Sequence, residues 1–160
     1  MVLHGGEPTL RKDIKEIYKI VIQSCPKVNS ITLSTNGLDP RLVDKRIEEI
    51  LSSINPNAIQ LAFTVSIDGL REAHEKIRGV KGSFDRTIET VKVLKKHQKS
   101  YPIEVAVITV IQPQNLKDLE KMKILAEEYN VDIIFQPLMI DAFYGNLSSD
   151  PRLQFSENQY

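Results

Sequence analysis

The sequence predicts an α/β fold built on a parallel sheet. Two observations carry this prediction. Short, β-branched apolar stretches alternate with amphipathic segments of helical spacing about four times along the chain, and the connections between them are short. The strand-like stretches are nearly continuous apolar runs, the pattern of strands covered on both faces. Periodicity leaves two architectures open, a doubly wound open sheet and a (β/α) barrel.

Taken in order, "MVLH" reads as the last part of a strand, and Ile14, Ile17 and Val21 then share one face of a helix. "SITLST" is the next strand. Asp39 followed by Pro40 marks a helix start, with Leu42, Val43, Ile47, Ile50, Leu51 and Ile54 as its apolar stripe. "IQLAFTVSID" is a third strand, and a loop carrying His74, Glu75, Arg78 and Gly79 follows it. Ser83 is a cap candidate for a helix with Phe84, Ile88, Val91 and Leu94 or Lys95 on one face. "IEVAVITVI" is the fourth strand. Asn115 is the next cap candidate, with Asp118 in the first turn and Leu116, Leu119, Met122 and Leu125 or Ala126 facing inward. "DIIFQPLMI" closes the pattern. From Asp141 onward the periodicity is lost, so residues 1–140 read as the domain core and 141–160 as an irregular tail or an incomplete next element.

Composition narrows the function. Hydrophobic residues at 41% and charged residues at 26% support a real core. A length of 160 residues suits one domain or a part of a larger one. Lysine plus arginine and aspartate plus glutamate both total 21, so charge gives no argument for nucleic acid or an anionic membrane surface. No apolar run approaches a membrane span and no signal-peptide layout opens the chain, which makes the cytoplasm the default expectation. The one cysteine, Cys25, forms no internal disulfide and builds no thiolate cage by itself. Beside Pro26 and near a helix end, it reads as a small buried apolar residue.

In either architecture ligands sit at the carboxyl ends of the strands, so the loops there hold the candidate site. The first is Gly5-Gly6-Glu7-Pro8, whose glycines let the backbone turn and approach a ligand; taken alone, the pair is better read as a tight strand-to-helix turn. The second, Ser34-Thr35-Asn36-Gly37, is followed by a capped helix, which argues against a hairpin and leaves hydroxyl and amide groups at the strand end. In the third, Ser66 and Asp68 alternate with Ile67 and so point to one side, where they suit hydroxyls or an amine; a simple Asx turn is the competing account. Arg78 offers a planar fork suited to a carboxylate, or is a solvated surface arginine. His4, His74 and His97 lack metal-ligand spacing and read as structural or exposed.

Together, GGEP, STNG, SIDG and H-x-x-x-R-G at successive strand ends resemble the radical S-adenosylmethionine (SAM) superfamily, in particular its peptide-modifying and cofactor-maturing branch. The resemblance spans Leu3 to Leu138. It implies a partial (β/α) TIM-type barrel with Gly5, Gly6 and Glu7 at the SAM amino group and Pro8 shaping the turn. It implies Ser34 and Asn36 beside the SAM pocket, Ser66 at the ribose or carboxylate with Asp68 nearby, and Arg78 at the carboxylate. Val107, Thr109 and Ile111 are the matching candidates for packing on adenine. The implied chemistry is electron transfer from a reduced four-iron, four-sulfur cluster into SAM, giving a 5′-deoxyadenosyl radical that abstracts hydrogen from a substrate. SAM and an unidentified substrate are the implied partners.

One departure stands out. The family carries C-x-x-x-C-x-x-C upstream of GGEP; this sequence has no such motif, and Cys25 lies downstream. The expectation is a fold whose first β/α unit is missing, inactive alone, with an apolar edge that the missing unit or an oligomer partner covers. A non-catalytic module for SAM, a nucleotide or a protein partner is the alternative. A third reading, an unrelated barrel enzyme with Glu7 and Asp68 as acid and base, requires activity without iron or SAM.

Overall fold

The computed structural model describes residues 1–138. Five parallel strands form one sheet: β1 (Val2–Leu3), β2 (Ser30–Thr35), β3 (Gln60–Ser66), β4 (Ile103–Ile111) and β5 (Asp132–Pro137). Their spatial order is their sequence order. That order settles the architecture, because a doubly wound sheet reverses direction at a switch point and a barrel sheet does not. The sequence therefore folds as a partial (β/α) barrel wall. The tail expected over 141–160 lies outside the described residues.

The helices are α1 (Ile14–Ser24), α2 (Pro40–Leu51), α3 (Arg71–Arg78), α4 (Ser83–Gln98) and α5 (Leu119–Tyr129). Their apolar stripes bury against one face of the sheet. Ile31, Leu33, Leu61, Phe63 and Val65 from the strands are fully buried with Ile47, Ile50, Leu94 and Met122 from the helices. Burying a side chain of this size contributes roughly 1.5–3 kcal/mol each, which makes this layer the main stabilising contact.

Among the described residues the other face is not covered in this way. β2 alternates between half-buried and buried positions, and β4 does so through most of its length. Within the described residues the strands are covered on one face, where the sequence suggested both. The runs look continuous because the concave face also carries apolar residues, Ala62, Ile108, Val110 and Ile134, between its hydroxyls.

Local signals fared unevenly. Asp39 caps α2 as expected, its Oδ1 accepting the Leu42 N–H at 3.0 Å with Pro40 in the first turn. The segment around His74 is a helix, α3, and not a loop; it buries only His74 and ends at Gly79 with φ +66. Ser83 does not cap α4. Gly82 occupies that position at φ +72, and the Ser83 hydroxyl is buried without a partner. Asn115 caps no helix with its side chain either. Cys25 is exposed at the end of α1, not buried. Tyr18, absent from the expected stripe of α1, is fully buried, and burial raises its phenol above the usual range.

Candidate functional site

The site is built from the loops that leave the carboxyl ends of the strands. After β1, Gly5 and Gly6 adopt φ +96 and +57, with no atom within 4 Å of where a Cβ would stand. Glycine is required here by backbone conformation, and the turn leaves its peptide groups accessible. Glu7 fixes this turn. Its Oε1 accepts the Thr9 N–H at 3.1 Å, the Thr9 hydroxyl at 2.7 Å and the Thr35 hydroxyl at 2.9 Å, while Oε2 accepts the Asn36 N–H at 2.7 Å. One carboxylate thus ties the GGEP turn to the STNG turn after β2. Asn36 in turn uses its Oδ1 to accept the Leu38 N–H at 2.9 Å.

The face of the sheet away from the helices, the concave face, holds a cavity of about 780 Å³. Thr32, Ser34, Thr64 and Ser66 line it with hydroxyls, and Ile108 and Val110 line it with apolar surface. Ser34 and Thr64 face each other across paired strands with their hydroxyls 2.7 Å apart. Of the residues expected from sequence, Ser34 and Ser66 line this cavity, as does His4.

Val107 and Thr109 do not. They are 2% and 0% exposed on the helix-facing side of β4, and the Thr109 hydroxyl donates to the Ile67 carbonyl at 2.7 Å. Apolar contact on the concave face belongs to Ile108 and Val110, one register step away. In a strand a shift of one residue exchanges the two faces.

Asp68 and Arg78 pair with each other and are not among the residues that line the cavity. Arg78 Nη2 lies 2.7 Å from Asp68 Oδ2, with the side chains 29% and 5% exposed. Asp68 Oδ1 accepts the Val110 N–H at 3.0 Å. Its backbone carbonyl accepts from Asn115 Nδ2 at 3.2 Å, and its backbone N–H donates to His74 Nδ1 at 3.1 Å. Asn115 also donates to the Val110 carbonyl at 2.7 Å, and Asp118 accepts the Leu70 N–H at 3.0 Å. Sequence reasoning missed Asn115 and Asp118 as parts of the site's frame, having read them only as a helix start. His74 is buried beside Phe84 and is pushed down to about 4, first by burial and then by the Arg78 charge. A neutral imidazole accepting at Nδ1 carries its proton on Nε2, toward the Thr87 hydroxyl at 3.5 Å.

Among the described residues no group of three or more His, Cys, Asp or Glu is placed to hold a metal ion. Among the same residues no helix is long and apolar enough to cross a membrane.

Known proteins resemble this chain. An Fe-coproporphyrin III synthase of Methanosarcina barkeri is 28% identical over 99% of this chain and 36% of its own length. An AdoMet-dependent heme synthase of the same organism is 33% identical over 80% of this chain and 33% of its own. The sporulation killing factor maturation protein SkfB of Bacillus subtilis is 32% identical over 66% of this chain and 23% of its own. The chain therefore spans about a third or less of the length of these curated relatives. The solved structure of polyhistidine-tagged anSMEcpe with bound AdoMet matches with a TM-score of 0.58 at 19% identity, covering 86% of this chain and 35% of that one, which shows a shared fold. The family model described as "Radical SAM superfamily" matches residues 1–126, and on that match the chain belongs to the radical SAM superfamily.

Proposed function

We propose that this chain forms the SAM-binding wall of a radical SAM enzyme acting in cofactor or peptide maturation. The observation that carries the reading is the exposed Gly5–Gly6 turn, clamped by Glu7 and directly following His4, which lines a cavity of hydroxyl and apolar surface. Such a site suits SAM, which presents an amino acid end, a ribose and an adenine. Backbone groups of Gly5 and Gly6 serve the amino group, with the Glu7 backbone beside them. Ser34, Asn36 and Ser66 border the ribose and amino acid, Arg78 serves the carboxylate, and Ile108 and Val110 pack on the adenine.

The iron–sulfur cluster fits differently. The family binds SAM together with a four-iron, four-sulfur cluster, and three thiolates must hold it. This sequence holds one cysteine. Its residues fit SAM and do not fit the cluster, and this enzyme reading requires the cluster ligands to come from polypeptide outside these 160 residues. In the cluster-bearing protein, bound SAM supplies a 5′-deoxyadenosyl radical; what this chain does is seat SAM and exclude water from it. The names of the relatives, two tetrapyrrole enzymes and a peptide maturation protein, support the cofactor or peptide branch. A reducing cytoplasm is the compartment that suits this chemistry.

Titrating SAM into the ¹⁵N-labelled chain tests the reading by NMR. Weak binding that shifts the Gly5 and Gly6 amides without iron is the expected result, and unchanged spectra at millimolar SAM overturn it. The lone cysteine favours a second reading, a non-catalytic SAM module of the same fold. Sequencing the source DNA separates the two. An in-frame C-x-x-x-C-x-x-C encoded upstream of Met1 selects the enzyme, and a stop codon close upstream with no cysteine-motif partner encoded nearby selects the module.

A further inference from the structure

The geometry points to Asp68 as a positioning residue that holds Arg78 for the carboxylate of SAM and makes no ligand contact of its own. The inference rests on the SAM-wall reading above and adds a role within it. Four polar groups of Asp68 are already engaged. Its backbone N–H goes to His74 Nδ1, its carbonyl receives Asn115 Nδ2, Oδ1 receives the Val110 N–H and Oδ2 receives Arg78. At 5% side-chain exposure there is no free approach to this carboxylate. Arg78 is different. Its side chain is 29% exposed, only Nη2 is paired with Asp68, and Nε is buried with no partner. A guanidinium held by one corner and left unsatisfied at another is set to accept a second carboxylate in its fork.

The frame behind the pair is rigid for a stated reason. Asp68 Oδ1 takes the Val110 N–H just beyond the β3–β4 ladder, and Asn115 bridges the Asp68 and Val110 carbonyls. The end of β4, whose Ile108 and Val110 line the cavity, and the Arg78 fork are therefore located by one carboxylate. Other charged or titratable groups around the pair among the described residues include His74 from α3, held neutral at pH 7, Glu75 beside it, whose charge acts on His74, and Asp118, which accepts the Leu70 N–H. Asp68 is the acid that sets the fork.

The test uses the ¹⁵N-labelled chain and two probes, SAM and decarboxylated SAM, followed by NMR at the Gly6 amide and the Arg78 Nε–H. In the wild type both probes shift Gly6, and only SAM shifts the Arg78 signal. Asp68→Asn keeps an oxygen for the Val110 N–H and removes the charge that holds Arg78. SAM affinity then falls about tenfold or more, as for loss of a charge-assisted contact, while decarboxylated SAM binds as before. Equal weakening of both probes, or none, overturns the positioning role while leaving the SAM-wall reading intact. If neither probe binds the wild type, the SAM-wall reading fails and takes this role with it. If Asp68→Asn does not fold, the wild-type pair of titrations decides: an Arg78 signal that ignores SAM, or that answers both probes alike, refutes the proposal.

Discussion

Replacing His74 by asparagine should remove a pH dependence of stability whose size follows from its surroundings. In the folded chain His74 is fully buried beside Phe84, accepts the Asp68 N–H at Nδ1 and stands near the Arg78 charge. Protonation would set an Nδ1–H against the Asp68 N–H and bury a second cation there. Burial first, and Arg78 second, push its titration down to about 4. In the unfolded chain the same imidazole takes its proton near the ordinary value of about 6.5. Between these values the unfolded state binds the proton and the folded state does not, so stability is full above about pH 6.5 and is lost as pH falls toward 4. The gap of about 2.5 pH units corresponds to about 3 kcal/mol, of which some 2–3 kcal/mol is lost by pH 4.5. His74→Asn retains a side-chain acceptor for the Asp68 N–H but does not titrate. Urea unfolding followed by circular dichroism at several pH values from 7.5 to 4.5 gives the comparison, and the difference between the two proteins cancels the carboxylates they share. The wild type should lose about 2–3 kcal/mol more than the variant over that range. Parallel curves would show that His74 is already protonated in the folded chain, or that its pocket admits water, and would refute the reasoning.

Glu7→Gln should cost about 2 kcal/mol, because one face of the side chain becomes an N–H donor opposed to a backbone or hydroxyl donor that the carboxylate now satisfies. For a chain of this length that is a fall of about 4–8 °C in Tm, and a change under 1 °C would mean the clamp between the two turns is weak. Two glycine substitutions should separate backbone conformation from space. Gly6→Ala, at φ +57 with open surroundings, should cost about 1 kcal/mol. Gly69→Ala, at φ +127 with its new Cβ 2.9 Å from Ala73 Cβ and 3.1 Å from Asp118 Oδ2, should cost about 3 kcal/mol. Equal Tm losses for the two would contradict the crowding at Gly69.

The strands were legible because β-branched runs are a local signal: the stretches read from sequence contain all of β2, β3 and β4. Which face each residue takes was not. Val107 and Ile108 are equally apolar, and only the register with β3 and β5 decides that Val107 meets the helices and Ile108 the cavity. The helix α3 escaped notice because it is eight residues long, mostly charged, and buries His74 alone. Ser83 and Asn115 carry the residue types of caps, yet tertiary contacts claim Asn115 and leave Ser83 uncapping. At the site, the polar residues were legible as a set, since four loops in succession carry them. Their partners were not, because Glu7 reaches Thr35 and Asn36, and Asp68 reaches Val110, over 28 residues or more.

Those long-range contacts bear on chemistry. Glu7 joins the loops after β1 and β2, and Asp68 joins the loop after β3 to the end of β4 and the end of α3. Every carboxylate oxygen of the two residues already accepts a hydrogen bond, and each of the four does so from a backbone N–H or from Arg78. A general base must offer a lone pair to the proton it removes, and a general acid must hold a proton where donors now point. An acid–base pair formed by Glu7 and Asp68 would therefore have to dismantle the turns that shape the cavity before it could act. The same clamps serve a binding wall well, because they leave the peptide groups of Gly5 and Gly6, the hydroxyls of Ser34 and Ser66 and the open side of Arg78 as the surfaces presented to a ligand. The two acids hold the site's shape, and the groups they hold are the ones that recognise.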